Sequence, residues 1–246
     1  MVFFLLLAVV IIFSFIHLIE VASFFARVAG VKKGNTAFGY ALQNSVFMFT
    51  RVFTMLLLPL LGYLVDLKIS EDFYLGMVAL SLLSASFFGY VVITHKERVI
   101  AAFQKIITAY EENGKLFFKM ISFPVHFMRT SGVIKNKPSL YTLKNYVRNS
   151  FFWGGAIIFG IYSISVLMSF YFGLVFYEYR TTISQLSGIS NALATVILTF
   201  YIEPRMSGII DNNKESAVDS IECLMYGRVI GTFVCFVFFC LYIVYN

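Results

Sequence analysis

His17, Glu20 and Arg27 lie in a stretch, Val2 to Val28, that is otherwise apolar apart from Ser14 and Ser23. Their spacing puts His17 and Glu20 on one helical face, with Glu20 and Arg27 about two turns apart on that face. A charge near the middle of a membrane-spanning helix costs about 2.5–3.5 kcal/mol on insertion scales. Such a cost is carried most often where a polar pathway or a binding cavity needs the group. Arg51, flanked by Phe49, Val52 and Phe53, is a permanent cation that must face an anion, a carboxylate or water. Arg228 sits inside Gly227-Arg228-Val229-Ile230-Gly231, and two glycines at that spacing let a neighbouring helix approach closely. It is expected one turn into its span. Another apolar stretch is polar along one side through Ser184, Gln185, Ser187, Gly188 and Asn191, and ends at Glu203-Pro204-Arg205. The candidate set is therefore His17, Glu20, Arg27, Arg51, Glu203, Arg205 and Arg228. Arginine exceeds acid within it, which points to an anionic guest, and phosphate is the group arginine recognises best. A duller reading has Arg27, Glu203, Arg205 and Arg228 snorkelling from span ends, with Glu20 paired to Arg51 as internal glue.

The elements that must position these groups are membrane helices. Hydrophobic residues make up 59% of the 246, charged residues only 13%, and Phe alone contributes 29. No soluble core of this length holds that inventory. Apolar stretches near 20 residues match a ~30 Å hydrocarbon layer at 1.5 Å per residue. The expected fold is an all-α polytopic membrane protein with about six transmembrane helices, at 2–25, 38–64, 73–94, 151–176, 181–202 and 222–244. The first segment lacks Lys or Arg before Arg27, so it reads as a span and not as a cleaved signal peptide.

Charge in the connections sets an expected orientation. Arg27, Lys32 and Lys33 follow the first span without an acid, whereas Asp66, Glu71 and Asp72 outweigh Lys68 after the second. The 95–149 connection holds ten Lys and Arg against Glu97, Glu111 and Glu112. The positive-inside bias places the first and third connections in the cytoplasm and both termini outside. Within 95–149, Val99, Ile100, Phe103, Ile106, Ile107 and Tyr110 recur at helical spacing, and Asn113-Gly114 breaks the pattern. A basic, Phe-rich stretch follows from Lys115 to Arg129. An amphipathic helix lying on the anionic inner leaflet accounts for this segment, and its Phe and Ile content argues for membrane lipids over nucleic acid.

A shift of 145 residues lays the first three spans on the last three, bringing Pro59 onto Pro204 and Asp66 onto Asp211. The chain then reads as one membrane domain, 1–246, built of two three-helix halves, 1–94 and 150–246, joined by the 95–149 connection. Three spans per half would make the halves opposite in topology, an arrangement common in transporters. No sequence signature of an enzyme competes, although an acid/base pair of His17 and Glu20 is chemically conceivable. Cys223, Cys235 and Cys240 have no metal-ligating neighbours at a usable spacing and read as small buried hydrophobes. No metal or cofactor is expected.

The order Ile16-His17-Leu18-Ile19-Glu20, Ala26-Arg27-Val28-Ala29-Gly30-Val31, Thr50-Arg51, Pro59-Leu60-Leu61-Gly62 and Val65-Asp66 resembles the Amj family, bacterial membrane proteins that act as an alternate to the MurJ lipid II flippase. Glu203-Pro204, Ser207 and Asp211 resemble that family's second marker. Val21, Thr54 and Glu203 stand where the family pattern has Thr, Asn and Asp. The resemblance implies movement of the undecaprenyl-pyrophosphate-linked peptidoglycan precursor, lipid II, from the inner to the outer leaflet of the bacterial cytoplasmic membrane. It makes Pro59, Gly62, Asp66, Glu203, Pro204, Arg205, Ser207 and Asp211 gating or family-motif positions. On that implication Arg51, Arg228 and Arg27 would hold the pyrophosphate, and His17 with Glu20 could couple a proton. A second copy of the chain is a further candidate partner. The rival functions are an ion-coupled transporter of a small anionic solute and a structural membrane subunit.

Overall fold

A computed structural model describes residues 1–114, 116–129 and 145–245. Lys115 and residues 130–144 of the connection lie outside them. The helices are α1 (Val2–Lys33), α2 (Thr36–Asp66), α3 (Glu71–Thr94), α4 (Lys96–Asn113), α5 (Leu116–Ile121), α6 (Phe123–Met128), α7 (Ser150–Val175), α8 (Arg180–Ser184), α9 (Leu186–Ile197), α10 (Glu203–Asn212) and α11 (Lys214–Tyr245). Six helical segments are long and apolar enough to cross a membrane. The chain is an all-α polytopic membrane protein.

Local chemistry explains the boundaries. Gly34 ends α1 in the left-handed conformation, φ 79°, and Asn35 then caps α2 by accepting from the Phe38 N–H at 3.2 Å. That pair turns the chain within two residues. Gly114, φ 63°, ends α4 where the Asn113-Gly114 break was expected. Three expected boundaries move, the first being the end of α1, at Lys33 and not at 25. The fifth span does not stop at Ile202: it runs from Tyr177 to Asn212 through a wide π turn, Leu198–Ile202, directly before α10. Pro204 has no N–H to donate and its ring crowds the preceding turn, and a π turn is one way a helix absorbs that. The sixth helix begins at Lys214, so Arg228 is about four turns inside it and not one.

α1 is the central element, packed on α2, α3, α4 and α11. In the second half, α7 packs on α8, α9 and α11, and α3 joins α11 across the halves. The amphipathic α4 forms with the expected apolar face, but Val99, Ile100, Phe103, Ile106 and Ile107 are buried in the protein core with α1. Helix α1 continues between three and four turns past Glu20, and this extension gives α4 a protein surface to cover in place of lipid.

The buried apolar residues form two clusters, one at each end of the bundle. On α1 one ends at Ile16 and the other begins at Val21; on α7 they are separated between Phe159 and Leu167; on α11, between Val229 and Phe239. A polar layer occupies the gap.

Candidate functional site

The layer is built around Arg228, which is 1% exposed. Its Nη2 donates to the Glu20 carboxylate and lies 3.3 Å from His17 Nδ1. The Phe159 ring stands 4.2 Å from the guanidinium carbon. Ser163 and Thr232 meet at 2.9 Å close by on α7 and α11. Glu20 thus pairs with Arg228, not with Arg51 or Arg27, because the α1 face that carries His17 and Glu20 is the one α11 covers. The Arg228 Nε and Nη1 are buried and have no partner among the described residues, so this arginine has donors to spare. Glu20 keeps 17% of its side chain exposed and is the member reachable from outside the cluster.

Arg27 does not snorkel. It is buried, and Nη1 donates to Glu203 Oε2 at 2.8 Å, with the Tyr40 ring of α2 at 4.9 Å. Its Nε is unpartnered as well. Arg51 is exposed, with its guanidinium 5.8 Å from the Phe47 ring.

The phase of α2 says which way Arg51 looks. Tyr40, Arg51 and Gly62 are each eleven residues apart, about three turns, and so fall on nearly one line. Tyr40 touches Arg27, the partner of Glu203 on α10, and Gly62 has Phe170 of α7 as its neighbour at 3.8 Å. Along this line Tyr40 meets Arg27 on α1, Gly62 meets the second half at α7, and Arg51 between them is exposed. On the other side Ser184 joins Gly62, Asp66 and Arg180 in lining a cleft of about 240 Å³. Asn191 accepts from Ser165 at 2.8 Å, and Thr195 bonds Tyr162, so the polar side of the fifth span turns towards α7. Arg51 thus stands exposed on α2, midway between the Arg27–Tyr40 contact and the cleft beside Gly62.

The structure thus brings together His17, Glu20 and Arg228, and separately Arg27 and Glu203. Arg205 points outward, stacked 4.1 Å from its own neighbour Tyr201, and Pro59, Pro204, Ser207 and Asp211 are exposed. Two groups escape a reading of the sequence. Arg180 donates to Asp66 at 2.9 Å, tying the start of α8 to the end of α2. Glu222 is buried, paired with Lys96 and accepting from the Tyr146 hydroxyl at 3.2 Å, while burial and this carboxylate push the Tyr146 phenol well up. An acid within the apolar start of the last span was the available signal for Glu222.

Fold and site together define a polytopic membrane protein with two buried arginines, each paired with a carboxylate, and an exposed arginine midway along α2. The sequence matches the Amj family, described as "Alternate to MurJ", over residues 12–243. The chain belongs to that family. It is 27% identical over 212 residues, 80% of this chain and 76% of the relative, to the lipid II flippase Amj of Bacillus subtilis (strain 168). No solved structure matches.

Proposed function

We propose that this chain moves lipid II, the undecaprenyl-pyrophosphate-linked peptidoglycan precursor, from the inner to the outer leaflet of the bacterial cytoplasmic membrane. The observation that carries the reading is Arg51: a permanent cation midway along α2, exposed, with no carboxylate partner among the described residues. A pyrophosphate would supply the missing anion through the planar, two-toothed contacts that arginine prefers. The spare donors of Arg27 and Arg228 extend the cationic path to either side, and the hydroxyl and amide groups of the fifth span suit sugar and peptide. The polyprenyl tail stays in lipid beside that path. An inside-negative potential favours outward movement of an anion by ~2.3 kcal/mol per charge per 100 mV, so a nucleotide motor is not needed.

The reading takes both termini to be outside. It also takes 1–94 and 150–246 to be inverted repeats, for which the support is that α1 packs on α2 and α3 much as α7 packs on the fifth span and α11. Proteoliposomes of the purified chain, loaded with labelled lipid II, test it. The label should cross leaflets faster than in empty liposomes. Arg51→Ala should abolish the gain at normal protein yield, with Arg51→Lys recovering part of it. Normal crossing by Arg51→Ala removes the contact role, and no crossing by the parent chain overturns the function.

A further inference from the structure

Two ion pairs stand near opposite ends of the α2 line Tyr40–Arg51–Gly62, and they differ in kind. Arg27–Glu203, at the end predicted to be cytoplasmic, has side chains only 4% and 20% exposed. Asp66–Arg180, at the other end, is 58% and 40% exposed. An exposed pair is screened by solvent and worth little, whereas a buried pair cannot open without leaving a charge uncompensated. The buried pair therefore needs a replacement partner before it can part, and the exposed pair does not.

We propose that a path for an anionic headgroup, the groove, runs along this line past Arg51, that these pairs are its gates, and that the inner gate is opened by the ligand itself: a pyrophosphate takes Arg27 from Glu203. Three observations carry this. Arg27 has a buried Nε with no partner among the described residues, so an incoming anion can be held before the carboxylate is given up. A phosphate group offers the guanidinium more acceptor oxygens and more charge than one carboxylate does. Glu203 stands at the joint between the π turn Leu198–Ile202 and Pro204, where the regular ladder of helical hydrogen bonds is interrupted. A swing of α10 at that joint carries Glu203 away without unwinding the rest of the span.

The outer gate has a lower threshold. Arg180 also stacks 4.2 Å from the Tyr177 ring, which the Lys68 ammonium approaches at 4.1 Å. When Asp66 lets go, Arg180 keeps this aromatic seat. The outer mouth can therefore part on thermal energy once the guest arrives, which is what release requires.

The proposal rests on the groove being the path of an anionic headgroup, but its test does not require transport. In nanodiscs, full-length protein with spin labels at Ala41→Cys on α2 and Gly208→Cys on α10, in a background without the native cysteines, reports the inner mouth. A short-chain polyprenyl pyrophosphate should lengthen that distance, and the matching polyprenol should not. Glu203→Gln should show the longer distance without any ligand. An unchanged distance in both experiments overturns the inner gate. For the outer pair, Asp66→Arg and Arg180→Asp should each cut lipid II transport several-fold and the double exchange restore it; single variants that transport normally remove this pair from gating. If lipid II crosses while the inner distance stays fixed, the gate fails and the flippase reading stands. If pyrophosphate opens the gate but lipid II does not cross, the gate stands and the lipid is wrong.

Discussion

Glu20 is the residue on which the buried cluster turns. It is the sole carboxylate bonded to Arg228 among the described residues, and it is also the cluster member that retains exposure. Removing the carboxylate outright leaves a buried cation uncompensated, a change that costs about 3–5 kcal/mol when one partner of a buried pair is lost. Glu20→Ala should therefore lower the amount of folded protein. Glu20→Gln keeps an acceptor oxygen for Arg228 while removing the competing charge. If Glu20 switches Arg228 between itself and the guest, Glu20→Gln binds lipid II at least as tightly as the parent yet turns it over poorly, because release is lost. Binding and transport measured on the same purified variant decide this: equal loss of both makes Glu20 structural, and unchanged transport takes it out of the mechanism. The sequence showed that His17 and Glu20 share a face and that Arg51 lies mid-span, because those facts follow from spacing alone. It could not show that the partner of Glu20 is Arg228, 208 residues away, since that depends on which face of α11 meets α1.

The helices owe their close approach to small residues at the crossings. Gly227 and Gly231 were legible as a packing motif, and the structure supplies the partner: α7, where a Cβ on Gly227 would run into the Phe152 carbonyl and one on Gly231 into Ala156. On α7, Gly155 faces Leu224 in the same seam. Backbone cannot step aside as a side chain can, so Gly227→Ala should destabilise by about 1–3 kcal/mol, as overpacking does. Gly76 and Gly208 have nothing within 4 Å of where a Cβ would stand. Alanine there should be neutral or stabilising by up to about 1 kcal/mol through helix propensity. Thermal unfolding of the detergent-solubilised protein separates the two cases, and equal melting of Gly227→Ala and Gly208→Ala would remove the seam as a constraint. Among the element boundaries that sequence missed, Lys214 and Asn212 fall in polar stretches where helix is held by neighbours and not by apolar run length.

At the scale of the molecule, hydropathy gave six spans because length and apolarity are local properties, while the pairings of Glu20 with Arg228 and Arg27 with Glu203 arise only from how the helices pack. The 95–149 connection illustrates the limit. Its amphipathic period was plain, but a protein surface and a lipid surface demand the same apolar face, so α4 packing on α1 was not distinguishable from α4 lying on a leaflet. Orientation rests on charge: Lys32 and Lys33 end α1, Lys96 and Arg98 open α4, and Asp66, Glu71 and Asp72 cluster at the α2–α3 turn. Basic connections are retained in the cytoplasm, so the α2–α3 turn should face outward and α4 inward. Ser70 and Glu112 are both exposed, which makes single cysteines there, in a background without the native three, suitable reporters. A membrane-impermeant maleimide added to intact cells should label Ser70→Cys at once and Glu112→Cys only after permeabilisation. The reverse pattern would turn the molecule over in the membrane, placing the buried Arg27–Glu203 gate outside and the exposed Asp66–Arg180 gate inside. A ligand-opened gate would then guard the exit, and outward transport of an anion captured from the cytoplasm would lose its physical basis.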